Sequence, residues 1–124
     1  MADLEITFEM YGIDEFIAAV ETFDFRMQEQ VFLALSEWAG NVEKLAKQLV
    51  PVRTGYLRSS IFAYINGWVA TVGASAPYAS FVEFGTRYMQ ARPYLYPAIQ
   101  QYLPQLEAIM VEAIERAKRE AGLG

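Results

Sequence analysis

The sequence predicts an α+β protein in which a small antiparallel sheet packs against a long helix and a C-terminal helix. Three observations predict this fold class. Apolar residues recur at helical spacing over residues 24–49, and again after Pro104. Between these stretches, the Asn66-Gly67 pair separates two apolar runs, which is a strong hairpin signal. A chain of 124 residues is the usual size of one domain, so we expect residues 1–124 to form a single domain.

The N-terminal segment predicts a strand followed by a short helix. Polar and apolar residues alternate over residues 4–10, which predicts a strand of the sheet that ends at Gly12. Its inward residues are expected to be Leu4, Ile6, Phe8 and Met10. Residues 14–21 then have helical periodicity. The inward residues of this helix are expected to be Phe16, Ile17 and Val20.

The clearest helical pattern belongs to the next segment. Asp24 is a plausible N-cap, and Pro51 predicts the end of the helix near Leu49, because the residue before a proline avoids helical geometry. Glu43 and Lys47 are expected to pair on the outer face. The apolar stripe consists of Val31, Phe32, Leu35, Trp38, Ala39, Val42, Leu45, Ala46 and Leu49.

Residues 57–72 predict a hairpin in which Ser59 and Ser60 belong to the first strand. A type I′ turn at Asn66-Gly67 pairs one apolar face in register. The expected pairs are Ile65 with Trp68, Ala63 with Ala70, and Ile61 with Val72, and on the other face Tyr64 with Val69 and Phe62 with Thr71.

The second face of this hairpin is too apolar to be simply solvated. It carries Phe62, Tyr64 and Val69. Two arrangements are open: the face packs under a helix, or it meets a neighbouring subunit. In the second case this apolar patch is the candidate anchor of the contact, because interface energy concentrates in buried aromatic residues.

Prolines and glycines predict where the helices of the C-terminal half begin and end. A short helix is predicted over residues 77–84, with Gly85 as a left-handed cap. A final helical region follows Arg92-Pro93, and Pro104 is expected to kink or restart it. The last stripe consists of Leu106, Ile109, Met110, Ala113, Ile114 and Ala117, with predicted ion pairs Glu112/Arg116 and Glu115/Arg119.

Composition argues against catalysis. The chain has no cysteine and no histidine, so it lacks thiolate nucleophiles and ligands as well as the commonest general base. It also has no glycine-rich phosphate loop. We therefore predict that the protein is not an enzyme and uses no metal or cofactor. Its first residues show no export signal, and no apolar run is long enough to span a membrane.

Charge is unevenly distributed along a chain whose net charge is −5. Residues 1–43 contain ten Asp or Glu against a single basic residue, Arg26. Residues 44–106 contain six Lys or Arg against a single acid, Glu83. Either this is chance clustering on a folded surface, or two oppositely charged faces meet complementary partners or copies of the chain. The negative net charge of the chain argues against direct nucleic-acid binding.

Two clusters contain more turn-forming and charged residues than a plain core requires. The first is residues 51–61, and the second is residues 77–86 followed by residues 89–98. Gly55 and Gly85 allow backbone conformations that other residues avoid. Glu83 is expected to have arginine neighbours, as a structural ion pair beside two turns or as part of a functional surface.

These clusters resemble the gene-product-ten-like proteins from the neck of long-tailed bacteriophages and prophages. The resemblance covers about residues 13–121 and rests on three motifs in the same order. Its departures are Val50, where the family has a small residue, and Tyr94, where it has phenylalanine. The matching residues are Pro51, Val52, Thr54, Gly55 and Leu57; Tyr78, Ala79, Val82, Glu83, Phe84, Gly85 and Thr86; and Ala91, Arg92, Pro93 and Pro97.

The resemblance implies a ring-forming virion protein, expected to be a hexamer around the DNA passage and made in the host cytoplasm. Its expected partners are copies of itself, adjoining head-completion or adaptor proteins, and tail-terminator or tail-tube proteins. DNA would pass without sequence-specific binding. The alternative is a dimeric DNA- or regulator-binding domain of prophage origin. Candidate interface or motif residues are Arg53, Thr54, Arg58, Phe62, Tyr64, Glu83, Thr86 and Arg92.

Overall fold

The predicted α+β class is confirmed by a computed structural model, which describes residues 4–6, 13–53, 55–67 and 69–120. Three strands form an antiparallel sheet in the order β1-β3-β2, so that β3 is central. The elements are β1 (Leu4–Ile6), α1 (Ile13–Glu21), α2 (Phe25–Leu49), α3 (Tyr56–Ser59), β2 (Ile61–Asn66), β3 (Val69–Ala74), α4 (Ala79–Phe84) and α5 (Leu95–Glu120).

The long helix α2 begins and ends where the sequence predicts. Asp24 accepts a hydrogen bond from the Met27 amide at 2.9 Å, which confirms it as the N-cap. Val50 before Pro51 is extended, with ψ of 138°. Because the chain leaves the helix there, Val50 turns into the core and Leu49 is exposed, contrary to its predicted place in the stripe.

The core lies between the helices and one face of the sheet. Trp38 of α2 is fully buried, and its indole N–H donates to the Tyr102 carbonyl of α5 at 2.8 Å. In α1, Phe16 and Val20 are buried as predicted, whereas Ile17 is half-buried. The buried residues of the α2 stripe are Val31, Leu35, Trp38, Ala39, Val42 and Ala46.

The first strand is confirmed over residues 4–6, where Leu4 pairs with Ala74 and Ile6 with Val72. The predicted inward residues Phe8 and Met10, and the predicted end at Gly12, lie outside the described residues.

The hairpin forms, but its predicted register is wrong by two positions. Asn66 pairs with Val69 and Ala63 with Val72, so the loop is Gly67 and Trp68 rather than Asn66 and Gly67. Gly67 has a positive φ of 60°, and no described residue other than glycine has a positive φ. A type I′ turn at Asn66-Gly67 requires positive φ at Asn66, so it is excluded. A shift of two positions keeps each side chain on its predicted face. Trp68 itself is not among the described residues.

The segment before β2 is helical, which corrects its predicted strand conformation. The backbone N–H of Ser60 donates to the Tyr56 carbonyl at 3.1 Å, closing one helical turn after Gly55, whose φ is 84°. The hydroxyls of Ser59 and Ser60 donate to the carbonyls of Tyr56 and Leu57. Such local hydroxyl bonds compete with strand pairing, so β2 begins only at Ile61.

Glu43 lies beside the sheet edge rather than on a free outer face. It pairs with Lys47 at 3.2 Å as predicted, and its other carboxylate oxygen accepts from the Ala63 backbone N–H at 3.1 Å. Because β2 is an edge strand, this N–H points away from β3 and would otherwise be open to a foreign strand. Glu43 thus satisfies one donor of the exposed edge.

Pro77 departs from its predicted place, and for Pro104 one of the two predicted effects, a restart of the helix, is excluded. Pro77 lies in the turn before α4, which begins at Ala79. Helix α5 continues through Pro104 instead of restarting there. Tyr102, whose carbonyl accepts a hydrogen bond from Trp38, lies before Pro104, and the buried Leu106 lies after it. Tertiary contacts therefore stabilise the helix on both sides of the proline, which lacks the N–H for an intrahelical hydrogen bond.

The predicted apolar stripe and ion pairs of α5 are confirmed with one exception. Leu106, Met110 and Ala113 are buried, and the other members of the stripe are half-buried. The Glu112/Arg116 pair forms at 2.9 Å. No ion pair forms between Glu115 and Arg119, both of which lie in the described part of α5.

Candidate interaction surface

Glu83 anchors helix α5 to helix α4. Its carboxylate is buried and accepts three backbone N–H bonds, from Tyr94 at 3.0 Å, Leu95 at 2.8 Å and Tyr96 at 3.2 Å. These are the donors that a helix N-terminus leaves without intrahelical partners. A negative charge at this end of a 26-residue helix also interacts favourably with the helix dipole.

Pro97 directly follows the three residues whose N–H groups Glu83 accepts. Pro97 occupies the third helical position and has no N–H, so the first turn of α5 contains no further donor to satisfy. The predicted ion pair with an arginine is wrong, because Glu83 forms no salt bridge with the described arginines. Arg92 is exposed, and its backbone N–H donates to the Val82 carbonyl at 2.8 Å.

Tyr94 also stabilises the junction between α4 and α5. Its side chain is fully buried, and its hydroxyl donates to the Ala79 carbonyl at the start of α4 at 3.0 Å. Burial, together with the negative charge of Glu83, raises the pKa of Tyr94 above its ordinary value. Tyr94 therefore stays protonated and keeps donating over the whole physiological pH range.

A tight loop between the two helices projects from this anchor. Gly85 has φ of 80° and ψ of 176°, a conformation essentially limited to glycine, rather than the predicted left-handed cap. A Cβ there would lie 2.7 Å from the Ala91 nitrogen. Thr86 accepts from the Tyr88 N–H at 3.1 Å and exchanges backbone bonds with Met89, which closes the turn.

Five aromatic side chains around α4 are exposed together, and we call them the aromatic surface. Tyr56 and Tyr78 form an edge-on pair with ring centroids 6.0 Å apart. Phe84 and Tyr96 form another at 5.8 Å. Phe81 is spaced three residues from both Tyr78 and Phe84, so it lies between the pairs on one side of α4. Phe81 and Phe84 are 53% and 54% exposed.

Exposed arginines lie close in sequence to the residues of the aromatic surface. Arg58 shares helix α3 with Tyr56, and Arg53 lies just before it; both are exposed. In the loop, Arg87 lies over the ring of the exposed Tyr88, 5.5 Å from its centroid. Aromatic residues and arginines are both enriched at the energetic centres of protein interfaces.

The outer face of the hairpin divides into a packed and an exposed half. Phe62 is half-buried, and a Cβ built on Gly73 would lie 2.6 Å from the end of its ring. Tyr64 stacks on Phe62 at 6.0 Å but is about half exposed, as is Val69. This exposure leaves that part of the face available to a partner.

We expect Tyr64→Ser to leave the free energy of unfolding nearly unchanged, whereas Phe62→Ser should lower it by about 1–3 kcal/mol through lost packing over Gly73. Urea titration of both variants measures the difference. Equal stability of the two variants would contradict the division of this face into a packed and an exposed half.

The structure separates the candidate residues into different roles. Glu83 and Thr86 are structural within the junction, whereas Arg53, Arg58, Arg92 and Tyr64 have exposed side chains. Thr54 lies outside the described residues. Sequence reasoning missed the exposure of Tyr56, Tyr78, Phe81, Phe84 and Tyr96. The available signal was that the six residues of α4 include Phe81, Val82 and Phe84, which is more apolar surface than a short surface helix buries on one side.

Candidate metal clusters and membrane-spanning helices are absent from the described part of the chain. No group of three His, Cys, Asp or Glu is placed there to hold a metal ion. None of the described helices combines the length and apolar character needed to cross a membrane.

One comparison with known proteins gives a match. The profile of a family described as "Bacteriophage HK97-gp10, putative tail-component" matches residues 14–85. This range extends from α1 to Gly85 and includes Glu83 and four residues of the aromatic surface. Helix α5, which Glu83 anchors, lies beyond it. No curated protein and no solved structure gives a significant match.

Proposed function

This chain belongs to the bacteriophage HK97-gp10-like family of tail components, and we propose that it is a structural protein of the phage neck that joins head to tail. The family match covers more than half of the chain and confirms the resemblance predicted from the motifs. The coarser role, a structural component associated with the phage tail and a place in the virion, follows from that membership.

The observation that carries the proposal is the aromatic surface and its rigid support. Exposed aromatic residues of this size bind strongly only when a partner removes them from water. Glu83 holds the helix that presents Tyr96 against the helix that presents Phe84, so the surface is organised before any partner arrives. Such preorganisation lowers the entropic cost of association.

The proposed assembly is a ring, with a hexamer as the expected number, through which DNA passes. A ring requires two unlike faces on each subunit that meet head to tail and close by rotation. The acidic N-terminal third and the basic middle of this chain supply unlike faces. A subunit with a net charge of −5 has little tendency to hold phosphate, so DNA can move through without being retained.

A non-catalytic role agrees with the residue types on this surface. It consists of aromatic rings and arginines, which bind other molecules well, and it includes no histidine, cysteine or lysine, the side chains that most often act as general base or activated nucleophile. The competing function is a dimeric DNA- or regulator-binding domain, for which the arginines of residues 44–106 are the supporting feature.

The experiment is a deletion of this gene from its phage or prophage, with complementation by a tagged copy. Without the protein, we expect electron micrographs to show complete heads and tails that stay unjoined. Gold label on the complemented particles should lie at the head–tail junction. Joined particles in the deletion strain, or label only at the far end of the tail, would refute the neck role.

A further inference from the structure

Helix α2 carries an exposed row of residues that the core does not use. Phe25, Glu29, Leu33 and Glu37 follow one another at intervals of four, and we call them the acidic stripe. At 1.5 Å per residue, they extend over about 18 Å of helix. All four are exposed, with Phe25 at 81% and Leu33 at 63%. The stripe therefore alternates apolar and negative groups along one ridge.

The aromatic surface has the opposite character. Its flanking arginines form no ion pair within the described residues, whose two salt bridges are Lys47–Glu43 and Arg116–Glu112. The single acid of residues 44–106 is Glu83, which is buried and occupied by backbone amides. Nothing in that part of the chain neutralises Arg53, Arg58, Arg87 or Arg92.

Resting on the proposed assembly role, we propose that the arginine-flanked aromatic surface of one subunit binds the acidic stripe of a second copy of this chain. Phe25 and Leu33 would cover aromatic rings, and Glu29 and Glu37 would face arginines. The two surfaces are different and lie on the same chain, so in the proposed ring the contact is head-to-tail and repeats from subunit to subunit. The charges set the register, while the apolar groups supply most of the affinity.

A nucleic acid fits the same surface less well. Phosphates would satisfy the arginines, but a duplex backbone offers no apolar group to cover Phe81 and Phe84, which are each more than half exposed. The acidic stripe presents both kinds of group at the spacing of a single helix ridge. Complementarity in charge and in hydrophobicity therefore favours a second copy as the occupant.

Because the chain has no cysteine, single engineered cysteines report contacts between copies directly. Leu33→Cys and Phe84→Cys chains, carrying tags of different length, are mixed under mild oxidation. We expect the mixed Leu33→Cys/Phe84→Cys disulfide dimer to be the main cross-linked product. Val111→Cys, which alters an exposed residue outside both surfaces, is the matched control and should give only background. Circular dichroism checks that each variant is folded.

Two further measurements test the electrostatic part. Adding Glu29→Lys and Glu37→Lys to the Leu33→Cys chain should abolish the mixed dimer. Salt near 1 M shortens the Debye length to about 3 Å and should reduce its yield severalfold. Mixed dimers no more abundant than the Val111→Cys background, or a predominance of Leu33→Cys homodimers, would overturn the proposal.

The remaining outcomes separate this inference from the neck role. Duplex DNA that shifts in a gel with the wild-type protein and prevents the cross-link would assign the arginines to DNA and overturn the pairing of copies. Cross-linking as expected, combined with joined particles in the deletion strain, would support the contact while refuting the neck role. Unjoined particles without specific cross-linking would support the neck role while refuting the contact.

Discussion

Replacing Glu83 with alanine is expected to lower the free energy of unfolding by about 3–5 kcal/mol. Hydrogen bonds to a charged group contribute about 1.5–3 kcal/mol each, and their loss is not additive. Alanine leaves the amides of Tyr94, Leu95 and Tyr96 without their acceptor, and the junction is too buried for water to replace it fully. Since domains of this size have stabilities of about 5–15 kcal/mol, the change removes a large part of the total.

Urea titration monitored by circular dichroism measures this effect. Glu83→Gln is the conservative variant: it keeps one acceptor oxygen for the amides and should lose markedly less stability than Glu83→Ala. Glu112→Ala is the matched surface control, because this acid also belongs to α5 but forms an exposed ion pair worth at most about 1 kcal/mol. A Glu83→Ala protein as stable as the Glu112→Ala protein would exclude the anchoring role.

The junction also supports the aromatic surface. Glu83 holds the first turn of α5 in place, and Tyr96 in that turn contacts Phe84 of α4. Loss of the anchor is therefore expected to disorganise the aromatic surface as well as the fold. Assembly defects of Glu83 variants should be interpreted only together with their measured stability.

Replacing Phe81 and Phe84 together with serine is expected to abolish assembly while leaving the domain folded. Both side chains are more than half exposed in the free chain, so their removal takes little packing energy from the core. Burial of a large apolar side chain in an interface is worth about 1.5–3 kcal/mol. Losing two of them should weaken binding by about a hundredfold or more. Complementation of the deletion phage, scored as infectious titre, measures the loss.

Val111→Ser provides the matched control for this double variant. Val111 is equally exposed but lies on the outer side of α5, away from the aromatic surface, so its replacement should leave the titre unchanged. Thermal unfolding should give midpoints within a few degrees for the wild type and both variants. A normal titre from the Phe81→Ser/Phe84→Ser phage would remove the aromatic surface from the assembly contact.

Local patterns were sufficient for the parts of the fold that local physics controls. The limits of α2 follow from Asp24 and Pro51, and its buried stripe follows from the helical period, because both depend on residues within a few positions of each other. The facing of the hairpin residues was also predictable. Alternation is preserved when the register shifts by two, so Ile61 and Val72 face the core in either register.

Contacts between distant residues decided the rest. The sequence marked Glu83 as an isolated acid and suggested an arginine as its partner, whereas packing α4 against the start of α5 brought three backbone donors to it instead. Nothing in the local sequence around Glu83 encodes which amides a remote helix will leave unpaired.

The sequence by itself determined the α+β class, the extents of the long helix and of the final stripe, and the family, through motifs that punctuate the chain. Only the tertiary structure decided that α5 continues through Pro104, that α3 is helical, and that the aromatic residues around α4 face outward. The physical reason is that periodicity specifies which residues of an element share a side. The packing of whole elements then determines which of two apolar sides is buried and which is left for a partner.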